Sequence, residues 1–268
     1  MPFPQFARIN HRKGSGRLLI LSDLHIWGPE DPLYRALLRF LNEQMTDGVS
    51  LFIVGDLFDI FIGNKAIFSQ KYRELIDLLK LKCRSGANVY YLEGNHDFLL
   101  KGVFAGESRI EIFSEEIIFE WDQRLFYFCH GDRINPRDYS YRAFRMAIRN
   151  PLSKCLIDIC PGTILDSVGR SLSATSRKYN PNANDETIQM FRNYACDKIS
   201  KGYDFVVMGH SHYLDDIKFK VDSHQGQYVN VGFPRRDCRY LEISPGEPFV
   251  SQKCWQEYIA PLKPRLLP

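Results

Sequence analysis

No stretch of this 268-residue chain holds the roughly 20 consecutive apolar residues that a bilayer-spanning helix requires. The opening "MPFPQFARINHRKGSGR" carries two prolines and no apolar core segment, which argues against a secretory signal. Cysteines number seven, an odd count, and no two are spaced as CxxC, so neither a disulfide framework nor a thiolate zinc site is expected. They read as reduced packing thiols of a cytoplasmic protein. Internal repeats and low-complexity segments are also missing, which excludes solenoids and linkers. Nor is there a charge excess, since the net charge is only +3. What remains is ordinary globular composition, with 44% hydrophobic and 25% charged residues. That length can bury one large core, or one domain with a sizeable insertion.

Along the chain, "RLLILSDLH" (17–25), "VSLFIVGDLFD" (49–59) and "NVYYLEGNHD" (88–97) are short apolar runs ending in polar residues, as buried strands do. Between them lie two helical patterns. One has Asp31 as N-cap, Pro32 at the first helical position and Gly48 as its stop; the other covers 69–86. Strand, helix, strand, helix, strand predicts a mostly parallel sheet covered by helices. In such sheets reactive groups gather beyond the carboxyl ends of the strands. The segment 115–132 predicts a hairpin turning near Asp122-Gln123, and "YDFVVMGHSH" (203–212) a further buried strand. "DIKFKVD", "QYVNVG" and "CRYLEIS" alternate and are expected as antiparallel strands. Residues 135–200 show helical patterns and no strand signal.

Five predicted strand ends read "SDLH", "GDLFD", "GNHD", "HGD" and "GHSH". They contain five of the seven histidines: His25, His96, His130, His210 and His212. One histidine at a strand end is ordinarily a hydrogen-bonded structural residue, and His11 and His224 are read that way. Five clustered at strand ends call for another explanation. Aspartate, asparagine and histidine mixed in this way suit Mn²⁺, Fe²⁺ or Zn²⁺ better than Ca²⁺.

The order and spacing of these motifs resemble the calcineurin-like metallophosphoesterases, from residue 20 to about 212. That resemblance implies an α/β fold, a β-sandwich flanked by helices, and two divalent metal ions. One ion would be held by Asp23, His25, Asp56 and His212, the other by Asp56, Asn95, His130 and His210. Asp56 would bridge them together with a hydroxide. Two such cations lower the pKa of a bridging water and offset charge on phosphate oxygens. Asp97 is placed to orient a neighbour rather than to bind metal.

Within the superfamily, "HGDRINPRDYSYRAFRMAIRNP" (130–151) resembles the UDP-2,3-diacylglucosamine pyrophosphatases of lipid A synthesis, through Asp138, Tyr141, Phe144, Arg145 and Pro151. Arg170, Ser173 and Arg177 of "GRSLSATSRKYN" fall where that family binds its substrate's glucosamine and phosphates. With Asn95, His96, Asp138 and Tyr141 they make up the expected substrate contacts. Where that family reads GNRD, this chain has His96, the general superfamily form. A histidine there can protonate a leaving oxygen near neutral pH, which arginine cannot. Asp56, Asn95 and His96 are therefore the expected catalytic residues.

Residues 133–201 hold 12 Lys plus Arg against 6 Asp plus Glu, an excess of six, so the remainder of the chain is net negative. Arg142, Arg145 and Arg149 share a helical face suited to a diphosphate. Apolar residues from Leu152 to Leu172 recur at helical spacing. They would shelter acyl chains and meet anionic lipid, or else simply pack the helices together.

The domains expected are an extension (1–16), a core (17–134 and 201–250), a helical cap insertion (135–200) and a tail (251–268). The function expected is dinuclear hydrolysis of UDP-2,3-diacylglucosamine with Mn²⁺, giving UMP and 2,3-diacylglucosamine 1-phosphate. It would take place in the cytoplasm, at the inner face of the cytoplasmic membrane. The rivals are a phosphodiesterase or phosphatase for another lipid-linked, nucleotide or soluble ester with His96 as general acid, and a binding scaffold with a vestigial metal site. Nucleic acid is not an expected partner, because the arginines are not interleaved with stacking aromatics.

Overall fold

Leu18–Leu21, Ser50–Val54 and Phe205–Met208 are buried at every residue, which happens only to strands covered on both faces. The computed structural model describes residues 7–10, 16–63, 65–179 and 184–259. It resolves those coverings as two sheets packed face to face with helices outside. The first sheet has the order β14 (Ser251–Cys254), β13 (Arg239–Ile243), β2 (Leu18–Leu21), β3 (Ser50–Val54), β5 (Asn88–Leu92), β7 (Ile110–Phe113). Its members β2, β3, β5 and β7 are parallel, while β13 runs antiparallel to both β2 and β14. The second has the order β1 (Ala7–Asn10), β8 (Ile117–Trp121), β9 (Arg124–Cys129), β10 (Phe205–Met208), β12 (His224–Asn230), β11 (Asp215–Val221). Two short strands, β4 (Phe61–Ile62) and β6 (Asp97–Phe98), pair beside the site.

Alternation along each strand sorts its side chains between layers. Ile20, Phe52, Val54 and Leu92 face the other sheet and meet Phe119, Phe126, Phe128 and Val207 there. Phe52 stacks on Phe128 with ring centroids 3.7 Å apart. Leu19, Leu21, Leu51 and Ile53 face outward, beneath α1 (Pro32–Gln44) and α3 (Arg73–Arg84). On α1, Asp31 accepts from Leu33 N and Pro32 fills the first turn, as its sequence predicts. The helix expected over 69–86 is broken at Tyr72 into α2 (Ala66–Lys71) and α3. There the buried Tyr72 hydroxyl donates to Ile26 O at 2.9 Å.

The β8–β9 hairpin turns at Asp122 and Gln123, both with positive φ (49° and 62°), as a two-residue turn matched to strand twist requires. The final strands depart from a simple antiparallel series. β12 is antiparallel to β11 but parallel to β10, and β13 crosses to the other sheet. Buried on both sides, the second half of β12 fits a central parallel strand.

Between β9 and β10 come α4 (Tyr139–Arg149), α5 (Pro151–Ile159), α6 (Gly162–Tyr179) and α7 (Asp185–Ser200). The expected insertion boundary at 200 moves inward, because α7 buries Phe191, Ala195 and Ile199 against β9, β10 and β12 as a layer of the core. Only α4–α6 lie outside the layers of the sandwich, packed against the core through Ile148, Ile157 and Leu165, and we call them the cap. The ends shift too. Residues 7–10 form an edge strand, while β14 and α8 (Gln256–Ile259) complete the first sheet and its helical layer, with Trp255 and Tyr258 buried. The remainder of the expected tail, from 260 on, lies outside the described residues, as does His11.

Candidate metal centre

The parallel strands of both sheets run out at one edge of the sandwich, and five of the loops that follow them carry the polar motifs. Asp23 and His25 follow β2, Asp56 follows β3, Asn95 and His96 follow β5, His130 follows β9, and His210 and His212 follow β10. Five of these residues have left-handed backbones: Asp23 (φ 53°), His25 (48°), Asp56 (52°), His210 (65°) and His212 (55°). Such a conformation costs a non-glycine residue about 1–2 kcal/mol. So many in one place mark a site whose geometry the surrounding fold enforces.

The donor atoms converge in two groups. In the first, His25 Nε2 lies 3.0 Å from His212 Nε2, and His212 Nε2 lies 3.4 Å from Asp23 Oδ1. In the second, Asn95 Oδ1 lies 3.1 Å from His130 Nε2 and 3.0 Å from His210 Nδ1. Asp56 Oδ2 stands between them, 3.8 Å from His25 Nε2 and 3.3 Å from His130 Nε2. Donor atoms about 3 Å apart are the edges of a coordination shell whose bonds measure about 2.0–2.2 Å. The groups Asp23–His25–His212 and Asp56–His130–His210 could each hold an ion. So could His25–Asp56–His96. The chemistry and placement of these donors fit two divalent cations sharing Asp56.

Electrostatics prepare the donors. Burial alone would raise both carboxylates, yet His212 and His130 hold Asp23 below its usual range, and His130 and His96 hold Asp56 well below it. Burial, reinforced by His96, keeps His25 neutral, and burial with His130 pushes His210 down to about 4. Burial opposes the charge on His130 too, but Asp56 and Asp23 overcome it and push its pKa up to about 10. His130 Nδ1 donates to Val54 O at 2.8 Å, which aims Nε2 at the cluster.

Close packing holds Asp56 in register. A Cβ on Gly94 would fall 2.0 Å from Asp56 Oδ1, so only glycine fits. Asp97 sits behind, fully buried, accepting from Asp56 N and Gly94 N (both 3.0 Å), Phe58 N (3.2 Å) and the Tyr91 hydroxyl. Burial and the Asp56 charge push its pKa up to about 7.

His96 is buried beside the cluster, its ring 4.7 Å from that of His25. Its backbone N donates to Asp56 Oδ1 and its Nδ1 to Asp59 O (2.8 Å). The Tyr141 ring reaches within 6.4 Å of the His210 ring, with its hydroxyl donating to Asp132. Asp138 is occupied otherwise, as the exposed N-cap of α4 accepting from Tyr141 N. Arg145 and Arg149 do not present a diphosphate-binding face either. Arg145 pairs with Asp132 (3.0 Å) and Arg149 with Glu93 (3.0 Å), and both dock α4 onto the core. Arg170, Ser173 and Arg177 fall on α6, but their side chains lie outside the described residues. His224 donates to Tyr203 O as a structural residue.

Sequence reasoning passed over the segment "NVGFPRRD" after β12. Asn230 donates to Gly209 O, Phe233 stacks on His212 (4.7 Å, 13°), Arg235 donates to Leu24 O and His25 O, and Arg236 to His212 O. Its signal was a buried strand followed by a turn with two adjacent arginines.

A model of the calcineurin-like phosphoesterases matches residues 16–214. Among similar proteins are the UDP-2,3-diacylglucosamine hydrolases of Photorhabdus laumondii (29% identical over 195 residues, 72% of this chain and 81% of that one) and Escherichia coli (28%, with the same coverage). That of Pseudomonas entomophila is 26% identical over 220 residues, 80% of this chain and 90% of its own. The family match spans every loop that brings a donor to Asp56, and this chain belongs to the calcineurin-like phosphoesterases, as a metal-dependent hydrolase.

Proposed function

We propose that this hydrolase cleaves the diphosphate of a lipid-linked nucleotide, with UDP-2,3-diacylglucosamine as substrate and UMP and 2,3-diacylglucosamine 1-phosphate as products. The observation that carries this reading is the outer surface of the cap. Ile159, Tyr139 and Leu152 are 78%, 75% and 71% exposed, and Met146, Leu156 and Val168 are exposed with them. The apolar spacing of α5 and α6 therefore does not serve mainly to pack the helices together. A folded protein seldom leaves so many large apolar side chains of neighbouring helices in water without a use for them. Acyl chains, or the bilayer that holds them, suit such a face. No helix among the described residues is long and apolar enough to cross a membrane, so contact would be peripheral, at the inner leaflet.

Asp23, His25, Asp56 and His212 would hold one Mn²⁺, and Asp56, Asn95, His130 and His210 the other. When bound, the pair supplies Lewis acidity at phosphorus and lowers the pKa of water. The chain's own residues do the rest. Asp56 holds the two ligand groups in fixed relation, and Asn95 adds a donor without adding negative charge. His96 offers Nε2 to a phosphate oxygen. Water adds to one phosphorus and gives up a proton to solvent, the P–O–P bond breaks, and the leaving phosphate departs as an anion that needs no proton. The orientation of His96 also favours a second reading, in which it protonates the poorer leaving group of a soluble phosphodiester.

The test is a Mn²⁺-supplemented assay of UDP-2,3-diacylglucosamine beside an aryl phosphodiester. Selective turnover of the lipid nucleotide is expected. Turnover of the aryl ester alone would discard the lipid substrate and keep the metal chemistry.

A further inference from the structure

The two ligand groups share Asp56 but are braced from different parts of the molecule. Around Asp23, His25 and His212 the braces come from the core. Arg235 Nε donates to Leu24 O at 3.1 Å and its Nη2 to His25 O at 2.8 Å, while the same guanidinium pairs with the buried Asp31. Arg236 donates to His212 O at 2.6 Å, and Phe233 lies flat against the His212 ring.

Around Asn95 and His130 the braces come from cap helix α4. Arg149 Nη2 donates to Gly94 O at 3.0 Å, one residue before Asn95, while its Nη1 pairs with Glu93, whose side chain is 2% exposed. One helical turn earlier, Arg145 Nε binds Asp132 at 3.0 Å and its Nη2 reaches Ser114 O. The Tyr141 hydroxyl binds the same Asp132 carboxylate, two residues after His130. Three side chains on one face of α4 thus grip the two loops that bring Asn95 and His130 to the cluster.

We infer that α4 positions one of the two metal positions and not the other, so that docking of the cap and occupancy of the Asn95–His130–His210 position are coupled. Arg145 and Arg149 are its positioning residues. Their guanidiniums touch no donor atom and act by fixing the carbonyl and carboxylate that shape the loops. Coupling of this kind is reciprocal, so an ion at that position holds the cap down as firmly as the cap holds the ion. The position braced by Arg235 and Arg236 is indifferent to the cap. A cap that also meets the substrate would then register substrate binding at one ion alone. This inference rests on the dinuclear reading of the centre.

The experiment measures Mn²⁺ affinity by calorimetry in the full-length protein, in two backgrounds. His212→Ala leaves the Asn95–His130–His210 position, and Asn95→Ala leaves the other. Because Arg149→Gln alone would strand the Glu93 carboxylate, the perturbation is Glu93→Gln with Arg149→Gln, and Arg145→Lys is a second, milder one. In the His212→Ala background the dissociation constant should rise tenfold or more for the pair, and less for Arg145→Lys. In the Asn95→Ala background it should stay within twofold. Mn²⁺ should also protect the cap from limited proteolysis in the unmutated protein, and much less in the paired variant. Equal weakening in both backgrounds, or none in the first, would overturn the inference. An unmutated protein that binds fewer than two Mn²⁺ per chain would overturn the dinuclear reading instead, and the inference with it.

Discussion

Replacing Asp97 probes how firmly the fold holds Asp56, and the cost can be worked from its four donors. One oxygen accepts from Asp56 N and Gly94 N, the other from Phe58 N and the Tyr91 hydroxyl. Asp97→Ala strands all four in a fully buried place. At about 1–3 kcal/mol for each unsatisfied group, the loss reaches about 4–12 kcal/mol. That is a large share of the roughly 5–15 kcal/mol that stabilises a domain. Asp97→Asn keeps the shape and one acceptor oxygen. Its amide is best turned with the oxygen towards Asp56 N and Gly94 N, because the Tyr91 hydroxyl can rotate to accept from the new NH₂. The Phe58 N–H and the Tyr91 O–H are then both left without acceptors, and the expected loss is about 2–6 kcal/mol. Tyr91→Phe should cost about 1 kcal/mol. Urea unfolding of metal-depleted protein at pH 8, where Asp97 is largely ionised, gives these differences as midpoint shifts at constant slope. An Asp97→Asn protein as stable as the unmutated one, or no more stable than Asp97→Ala, would refute this account of the carboxylate.

Three further outcomes are expected. Asp56→Ala should abolish Mn²⁺ binding and hydrolysis together, and substantial turnover by that variant without metal would overturn the mechanism. In metal-depleted protein the raised His130 pKa predicts a stability contribution from the Asp56–His130 pair that is fully present below about pH 6.5 and lost as pH rises through about 10. Thermal unfolding against pH, with His130→Gln as control, should show that decline only when His130 is present. Paired Leu156→Asp and Ile159→Asp substitutions on the exposed cap should raise KM for the lipid nucleotide tenfold or more while leaving the aryl ester untouched. Parallel losses on both substrates would remove the cap from lipid recognition.

The donor set was legible because parallel α/β strands deliver their functional groups at their carboxyl ends, and each delivering run ends in a short polar motif. Burial on both faces, read from uninterrupted apolar runs, likewise identified β2, β3 and β10. The partner of a strand was harder to read. β12 reads as the hairpin mate of β11, which it is, but its second neighbour β10 depends on packing that no local pattern encodes. Helix α7 shows the same limit. It is less amphipathic than any of the cap helices, and only the apolar outer face of the second sheet makes it part of the core.

Arginines were the least legible residues, for a physical reason. A guanidinium has five donors and a long stem, so it can bind an anionic ligand, a carboxylate or several carbonyls at once. Helical spacing on α4 places Arg145 and Arg149 together whichever of these they do. The choice is made by Glu93, Asp132 and Gly94, remote in sequence, which present buried acceptors where those arginines arrive. Once Glu93 is buried, leaving it unpaired would be strongly destabilising, so Arg149 is committed to it and unavailable to a diphosphate. Charge that looks free along the chain is in this way consumed inside the fold. The cap leaves Arg142, Lys154 and Asp158 in solvent together with large apolar side chains, so the case for a lipid substrate rests less on the arginines than on Leu152, Leu156 and Ile159.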